Sequence, residues 1–288
     1  MLKIDLHVHS VESDGMFTIQ EIMTIAAKNG VEILALTDHE STQGVASAQR
    51  LGSEMGIKII PGVEFLTYFE DSEIHLLGYF PSVENKILQD RLRELRHERS
   101  LLAEEMIKIL QDHGYSLQWL DVKQLAGTEA AVSRGHIIRA LYHGNSFHRN
   151  MPLKKLSELF MPGGEAFIPF RKHPYFEAVD LIYLAGGIPV LAHPGLIRNQ
   201  EFVPKLLDYK SIGVEVYYAY WNDQDEFIRR YYHTAQSSGR LMTGGTDFHG
   251  TFSKFDIGQI DVPEECAQIL IRLLNDSTDI DRHNRHSR

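Results

Sequence analysis

Short apolar segments recur along the chain, and each is followed by a capping or turn signal and then by a helical pattern. This alternation is typical of β/α units. Seven strands are predicted, at residues 3–8, 32–36, 58–60 continuing toward 64, 74–79, 187–192, 213–217 and 241–243. A capping box at Thr18 and Glu21 starts one intervening helix, and an apolar stripe over 178–185 indicates another. The pattern therefore predicts an α/β chain with a mainly parallel sheet or barrel.

One region interrupts this alternation. Residues 84–164 contain no strand-like segment, and a long helix over 85–112 carries apolar residues at heptad spacing. We interpret 84–164 as a helical insertion, or cap, on a discontinuous barrel formed by residues 1–83 and 165–275. The apolar stripe, which Arg99 interrupts, is interpreted as the core of the small helical bundle. Residues 276–288 are polar and are expected to form a flexible tail.

Composition narrows the functional classes. The chain has 288 residues, 43% of them hydrophobic, so it is long enough to bury a layered core. Its net charge of −10 gives it no general attraction for duplex DNA, and its single cysteine excludes a disulfide scaffold and a zinc finger. The sequence has no apolar run of membrane-spanning length and no room for a signal peptide before the first strand, so we expect a cytoplasmic protein that does not bind membranes. The oligomeric state is not indicated.

Candidate chemistry lies at the strand ends. His7 and His9 are two residues apart on one strand, so both imidazoles point to the same side and can chelate one ion. Residues of metal-binding type also end or lie within the other predicted strands and the loops after them: Asp14, His39, Glu64, His75, His193, Asp247 and His249. Strand ends converge on one mouth in a parallel barrel. Burying so many carboxylates there without a cation would be costly, so the pattern predicts a metal site.

The nitrogen and oxygen ligands are too many for one ion. We expect two or three divalent ions. The absence of sulfur favours Mn²⁺, Zn²⁺, Fe²⁺ or Mg²⁺ without deciding among them, and of these we expect Mn²⁺. Such ions make hydroxide available near neutral pH and neutralise charge on a phosphoryl group. Hydrolysis of a phosphate ester by metal-bound hydroxide is the reaction expected from this ligand set.

Six motifs in order carry a resemblance to a known family. They are Asp5-Leu6-His7-Val8-His9-Ser10, Thr37-Asp38-His39, Gly62-Val63-Glu64, Ile74-His75, Ala192-His193-Pro194 and Thr246-Asp247-Phe248-His249. This set resembles the polymerase and histidinol phosphatase (PHP) family of metal-dependent phosphoesterases. The resemblance implies a distorted (β/α)7 TIM-like barrel with catalytic roles for Asp247, His193 and Glu64.

The resemblance also implies a division of the metal ligands. The first ion would be held by His7, His9, Glu64 and Asp247. The second would be held by Glu64, His75 and His193, and the third by Asp14, His39 and His249.

The insertion resembles a narrower branch of the family, the 3′,5′-nucleotide bisphosphate phosphatases and the enzymes that trim RNA from its 5′ end. Its motif is Ser133-Arg134-Gly135-His136. Ser133 can cap a helix whose N-terminus, with Arg134, would bind a second phosphate, and His136 belongs to the same candidate site. The alternative is that Arg134 is an ordinary surface charge. Arg198 is a further candidate for substrate binding.

Other residues near the motifs have more general interpretations. Asp5 and Asp38 adjoin ligands and are interpreted as carboxylates that orient imidazole rings. The aromatic run at 217–221 either stacks a base at the barrel mouth or caps a core.

The sequence leaves several functions open. The favoured one is hydrolysis of a small nucleotide such as adenosine 3′,5′-bisphosphate, or of the 5′ end of short RNA. The alternatives are a phosphatase of another small metabolite, such as histidinol phosphate or a ribosyl cyclic phosphate, and a non-catalytic, metal-stabilised binding module. An amidohydrolase is disfavoured because neither Lys58 nor Lys254 lies where a carbamylated lysine is needed.

Overall fold

The computed structural model describes residues 2–127, 130–143 and 151–286, with side chains described up to residue 277. The strands are β1 Ile4–Val8, β2 Ile33–Leu36, β3 Lys58–Phe69, β4 Ser72–Tyr79, β5 Ile188–Leu191, β6 Gly213–Tyr218 and β7 Met242–Gly245. The helices are α1 Ile19–Lys28, α2 Val45–Met55, α3 Lys86–Asp112, α4 Trp119–Ala126, α5 Arg134–His143, α6 Leu153–Glu158, α7 Tyr175–Leu184, α8 Phe202–Leu207, α9 Gln224–Ser237 and α10 Glu264–His286. A short 3₁₀ helix, Pro194–Leu196, follows β5.

The strands form one seven-stranded sheet in chain order from β1 to β7. The sheet almost closes on itself, because Val8 at the end of β1 pairs in parallel with Phe248 beyond β7. The backbone N–H of His9 donates to the carbonyl of Phe248 at 3.0 Å. The prediction of an α/β chain built as a distorted seven-stranded barrel is confirmed.

One strand runs against the others. β1, β2 and β3 are parallel, as are β5, β6 and β7, but β4 is antiparallel to both β3 and β5. Only Glu70 and Asp71 separate β3 from β4, a link far too short for a parallel crossover. The turn places Glu70 at a φ of 54°. His75 therefore reaches the site from within an antiparallel strand, not from the carboxyl end of a parallel one.

The hydrophobic core packs the strands of the barrel against the surrounding helices. Ile4 and Leu6 of β1 pack with Ala267 and Leu270 of α10 in one buried cluster, so the C-terminal helix covers the first strand. Tyr79 is fully buried, and its hydroxyl donates to the Leu6 carbonyl at 2.8 Å across the sheet. The inside of the sheet is thus tied together near the strands that carry the candidate ligands.

The long helix α3 contributes to two cores. Leu88, Leu92 and Leu95 pack in the same cluster as barrel residues such as Phe65. Further along, Met106 belongs to a separate cluster that includes residues of α4, α5 and α6. The prediction that the whole apolar stripe forms the bundle core is therefore wrong for its first half. A helix of 27 residues is long enough to extend from the barrel wall into the bundle.

The C-terminal helix is longer than expected. Residues 276–286, predicted as a tail, continue α10 as far as His286. The sequence offers no proline or glycine after Glu264 that would end the helix. Residues 287–288 of the predicted tail lie outside the described residues. Among the described helices, none combines the length and the apolar character needed to cross a membrane.

Candidate metal centre

The strand ends bring potential ligands into three overlapping groups, in each of which the ligand atoms lie within 4.8 Å of one another. The groups are His7, His9, Glu64 and Asp247; His39, Glu64 and His75; and His9, Asp14, His39 and His249. Eight of the nine predicted ligands belong to them. The ninth, His193, lies beside the cluster, with its Nε2 3.0 Å from Oε1 of Glu64.

Glu64 is at the centre of this arrangement. Its Oε1 lies 2.8 Å from Nδ1 of His75, and its Oε2 lies 3.2 Å from Nε2 of His7 and 3.1 Å from Nε2 of His9. The side chain is buried. Burial alone would raise the pKa of this carboxyl, but the surrounding imidazoles of His7, His39 and His75 outweigh it and hold the pKa well below its usual range. Glu64 is therefore ionised and offers an oxygen to each side of the cluster.

Several polar atoms in the cluster are buried without a hydrogen bond. They are Nε2 of His7, both ring nitrogens of His9, Nδ1 of His39 and one oxygen each of Asp14 and Asp247. Buried polar atoms in proteins are nearly always satisfied, so this concentration at one place needs a ligand. Imidazole nitrogens and carboxylate oxygens converging within a few ångströms are a donor set for divalent transition-metal ions. The residues present fit a site for divalent metal ions.

The backbone around the cluster is held in unusual conformations. His193 and Asp247 have φ values of 24° and 50°, and Glu40, next to His39, has a φ of 44°. Such values are costly for residues other than glycine and are found where the surroundings impose them, often at functional sites. In this chain they direct side chains from the ends of β5 and β7 into the barrel mouth.

Glu215 is a buried residue of the site that sequence reasoning missed. Its Oε1 accepts a hydrogen bond from Nδ1 of His7 at 2.9 Å, and its Oε2 accepts one from the backbone N–H of His193 at 2.8 Å. A carboxylate can only accept here, so Nδ1 of His7 carries the hydrogen and Nε2 is left free toward Glu64 and Asp247. The only sequence signal was a lone acidic residue inside the apolar strand β6.

Asp5 does not have the role expected of it. Its carboxylate accepts from the backbone N–H groups of Thr246 and Gly258, at 3.0 and 2.8 Å, and from the Thr246 hydroxyl at 2.7 Å. It therefore joins β1 to the segment after β7 instead of orienting a ring. Burial, the largest effect, raises its pKa to about 6 although these donors oppose the shift.

Asp38 likewise binds a loop instead of an imidazole. It accepts from the backbone and hydroxyl of Ser10, both at 2.7 Å, and from the hydroxyl of Ser13 at 2.6 Å. These bonds fix the loop that carries Asp14. A short carboxylate hydrogen-bonds nearby backbone and hydroxyl groups more readily than a ring across the barrel.

Comparison with known proteins assigns the chain to a family. The family model described as the PHP domain matches residues 5–164, more than half of the chain. The chain belongs to the PHP domain family. The PHP match includes the helical segment and ends before β5, so His193, Asp247 and His249 lie outside it, although the structure places them in the same cluster.

Three relatives of this chain have names that describe phosphate chemistry. A phosphoribosyl 1,2-cyclic phosphate 1,2-diphosphodiesterase of Eggerthella lenta is 30% identical over 87% of this chain and 95% of its own length. A 3′,5′-nucleoside bisphosphate phosphatase of Chromobacterium violaceum is 28% identical over 93% and 95%. A 5′-3′ exoribonuclease of Haemophilus influenzae is 31% identical over 89% and 93%.

Among solved structures, an amidohydrolase from Chromobacterium violaceum superposes with a TM-score of 0.84. It is 26% identical to this chain, and the alignment covers 94% of this chain and 96% of that one. The PHP fold is therefore shared over nearly the full length of both proteins, including the helical segment.

Two residues of the PHP insertion motif lie directly behind Asp14. The hydroxyl of Ser133 donates to Oδ2 of Asp14 at 3.0 Å, and the Ser133 backbone N–H donates to Nδ1 of His136 at 3.1 Å. His136 is 1% exposed, and its burial lowers its pKa to about 4. These contacts attach α5 to the Asp14 loop and place His136, a predicted substrate-binding residue, in the buried layer behind that loop.

The two predicted substrate-binding arginines have different surroundings. Arg134, whose side chain is 26% exposed, pairs with Glu73 on β4. Glu73 also accepts from the backbone N–H of Phe170 at 3.3 Å. Arg198 is exposed in the segment after the 3₁₀ helix. Sequence reasoning missed Glu73, because a strand residue distant in sequence carries no signal of this pairing.

Proposed function

We propose that this chain is a metal-dependent phosphoesterase that hydrolyses a phosphate ester of a small nucleotide, such as a 3′,5′-bisphosphate, or of the 5′ end of short RNA. The observation that carries the proposal is the set of unsatisfied, buried imidazole nitrogens and carboxylate oxygens around Glu64. The bisphosphate phosphatase of C. violaceum and the exoribonuclease of H. influenzae, both aligned over most of their length, support it.

We propose that the three groups of ligands hold two or three divalent ions, which are Mn²⁺ or, as alternatives, Zn²⁺, Fe²⁺ or Mg²⁺. When bound, such ions lower the pKa of water and offset negative charge on a phosphoryl group. Glu64, which belongs to two of the three groups, would join two of the sites. Asp247 and His193 would complete them from the opposite side of the barrel mouth.

The chain's own residues provide orientation. Glu215 keeps Nδ1 of His7 protonated, so that its other nitrogen remains a ligand. The hydroxyl of Tyr218 donates to Oδ2 of Asp247 at 2.8 Å, which leaves Oδ1 of that carboxylate toward the cluster. Oriented ligands of this kind hold the reacting phosphate in one geometry.

A second candidate function is hydrolysis of a ribosyl cyclic phosphate. The observation that favours it is the alignment with the E. lenta diphosphodiesterase, which extends over 95% of that relative. Both candidates use the same metal chemistry, so only the choice of substrate separates them.

The proposal is tested by phosphate release from a panel of adenosine 3′,5′-bisphosphate, 5′-phosphorylated oligoribonucleotides, a ribosyl 1,2-cyclic phosphate and histidinol phosphate, with Mn²⁺ added. We expect turnover with the nucleotides, and its loss by at least a thousandfold in Asp247→Asn and His9→Ala, since each substitution removes a ligand. The matched control is His97→Ala, an exposed histidine of α3. Wild-type rates in the two ligand variants, or turnover of the cyclic phosphate alone, would contradict the proposal.

We propose that Arg134 contacts the phosphate that is not cleaved, while it remains paired with Glu73. Further candidates for this contact are Arg198 and, through the capped start of α5, Ser133. In Arg134→Ala, kcat/KM for the bisphosphate should fall roughly ten- to a hundredfold, the loss of one charge-assisted contact, while kcat/KM for a monophosphate should hardly change. The exposed Arg93→Ala variant is the control. Equal losses for both substrates would instead place Arg134 at the reacting phosphate or among the residues that support the fold.

A further inference from the structure

A cavity of about 240 Å³ adjoins the metal centre on the side of β6 and β7. Its inner end is formed by Asp247 and His249, which belong to the ligand groups. Its outer part is lined by Trp221, Phe252 and Lys254. The cavity therefore connects the place where a phosphate would react with a surface that carries two aromatic rings and one cation.

The indole of Trp221 is unusually accessible. The residue is 66% exposed, whereas its neighbour Tyr220 is 1% exposed and Tyr218 is 7% exposed. Of the aromatic run that the sequence analysis singled out, Tyr218 and Trp221 line the cavity, and Trp221 is the exposed one of the two. An exposed tryptophan beside a reactive centre has a flat apolar surface available for a ligand.

Hydrogen bonds hold this outer part in place. The Lys254 ammonium donates to the carbonyl of Tyr220 at 2.7 Å and to that of Trp221 at 3.3 Å, which ties the loop after β6 to the loop after β7. The Ser253 hydroxyl accepts from the backbone N–H of His249 at 2.7 Å. The ring of Phe252 packs edge-on against the ring of Tyr142 on α5, with 5.6 Å between the ring centroids. The cavity wall is therefore built from fixed contacts.

The chemistry of the two ends defines the ligand. The inner end takes an anionic group, because the metal ligands lie there. The outer end offers flat apolar surface with a cation at its rim, which suits an aromatic ring and not a bare sugar phosphate. A nucleotide has this combination of phosphate and planar base, whereas a ribosyl cyclic phosphate has no planar group to place beside the indole.

We propose that this cavity is the nucleobase subsite of the enzyme, with Trp221 stacking on the base and Phe252 and Lys254 forming its wall. The proposal rests on the proposed function, since it assigns the base of the nucleotide whose phosphate lies at the metal centre. It makes Trp221 the residue that discriminates nucleotides from base-free phosphates.

A fluorescence experiment tests binding without turnover. The chain has two tryptophans, so Trp119→Phe leaves Trp221 as the only indole. Adenosine 5′-monophosphate added to this metal-loaded variant should change the Trp221 emission saturably, whereas ribose 5-phosphate should not, since it lacks the base. No change with either ligand, or equal changes with both, would overturn the proposal even if nucleotides are hydrolysed.

A kinetic experiment tests the same subsite during turnover. Trp221→Ala should lower kcat/KM for adenosine 3′,5′-bisphosphate about five- to a hundredfold, the range expected for the loss of one base stack, and leave ribose 3,5-bisphosphate unaffected. Trp221→Phe should restore most of the loss, and the exposed Leu196→Ala is the control. Equal losses on both substrates would overturn the subsite. If no phosphate is released from any nucleotide, the proposed function fails, and the fluorescence experiment still decides the subsite.

Discussion

Glu215 illustrates how a single buried carboxylate can determine which nitrogen of a histidine is available to a metal ion. It touches His7 through the ring and His193 through the backbone, and both Glu215 and His7 are fully buried. No ligand atom of its own enters the three groups around Glu64. We therefore regard Glu215 as a positioning residue that acts on two candidate ligands, one at each of two strands.

In Glu215→Gln, we expect the affinity for Mn²⁺ to fall roughly ten- to a hundredfold, because the amide no longer enforces a hydrogen on Nδ1 of His7. Calorimetric titration of the metal-free protein measures this, and wild type should bind at least two equivalents per chain. The exposed Glu226→Gln on α9 is the control.

A Glu215→Gln variant with wild-type affinity and stoichiometry would show that the hydrogen bond to His7 does not matter for metal binding. Binding of a single equivalent by wild type would contradict a polynuclear site.

At this scale the sequence predicts the members of the cluster better than the residues that support them. Histidines and carboxylates at strand ends stand out, because strand ends of a barrel converge. The supports do not stand out. Glu215 is one polar residue within a strand, and Asp5 and Asp38 look like ring orienters only because they adjoin ligands. Which donors surround a buried carboxylate depends on residues hundreds of positions away, such as Thr246 for Asp5.

Among the elements, α3 is joined to the barrel by a buried ion pair. Arg99 donates to the carboxylate of Glu40, which also accepts from the backbone N–H of Leu66 at 2.6 Å. Arg96, one turn earlier, donates to the Glu40 carbonyl at 2.7 Å. Arg99 and Glu40 are 8% and 0% exposed. The helix therefore holds the residue next to the candidate ligand His39 in its strained conformation.

Arg99→Leu should lower the free energy of unfolding by about 3–5 kcal/mol, because it leaves the Glu40 carboxylate buried and unpaired. The double variant Arg99→Leu/Glu40→Leu should recover part of the loss, since both charges are then absent. Urea unfolding measures both, with the exposed Arg93→Leu as control. A double variant less stable than Arg99→Leu would show that the carboxylate stabilises the loop without its partner.

The sequence predicts the positions of the strands well, but it predicts their directions less well. Each of the seven strands lies where the apolar segments indicate, because burial imposes that pattern. Strand direction is not encoded in such a pattern. The two-residue link between β3 and β4 was the available signal for an antiparallel pair, but the predicted end of β3 near residue 64 concealed it. The two roles of α3 depend on what packs against it, which its own periodicity does not show.

For the molecule as a whole, a buried histidine outside the metal centre links stability to pH. His173 is 1% exposed, next to the ring of Phe65, and burial together with the charge of Arg91 lowers its pKa to about 3. In the unfolded chain its pKa returns to about 6.5. As the pH falls below that value, the unfolded state gains a proton that the native state does not bind, and stability is lost.

As the pH falls from 7 to 5, protonation of His173 in the unfolded state should therefore lower the free energy of unfolding by about 2 kcal/mol. Urea unfolding of wild type and His173→Gln at the two pH values, at equal metal concentration, isolates this contribution. We expect the decline to be about 2 kcal/mol smaller in the variant, with the exposed His97→Gln as control. An identical decline in wild type and His173→Gln would mean that the native state protonates this histidine.

The closure of the barrel has a consequence for how the protein is made. Glycine at position 245 is required there, since a Cβ would lie 2.5 Å from the backbone nitrogen of His7. The chain's first strand and its last strand thus meet with no spare room, and the ligands they carry are separated by more than 200 residues of sequence.

During synthesis on the ribosome, β1 emerges long before the residues that will complete its surroundings. Until Asp247 has left the exit tunnel, His7 and His9 lie on an unpaired strand edge that cannot form the full ligand set. Contacts this distant in sequence form late in folding. A nascent chain therefore cannot form the full ligand set until the segment that carries Asp247 has emerged and paired with the first strand.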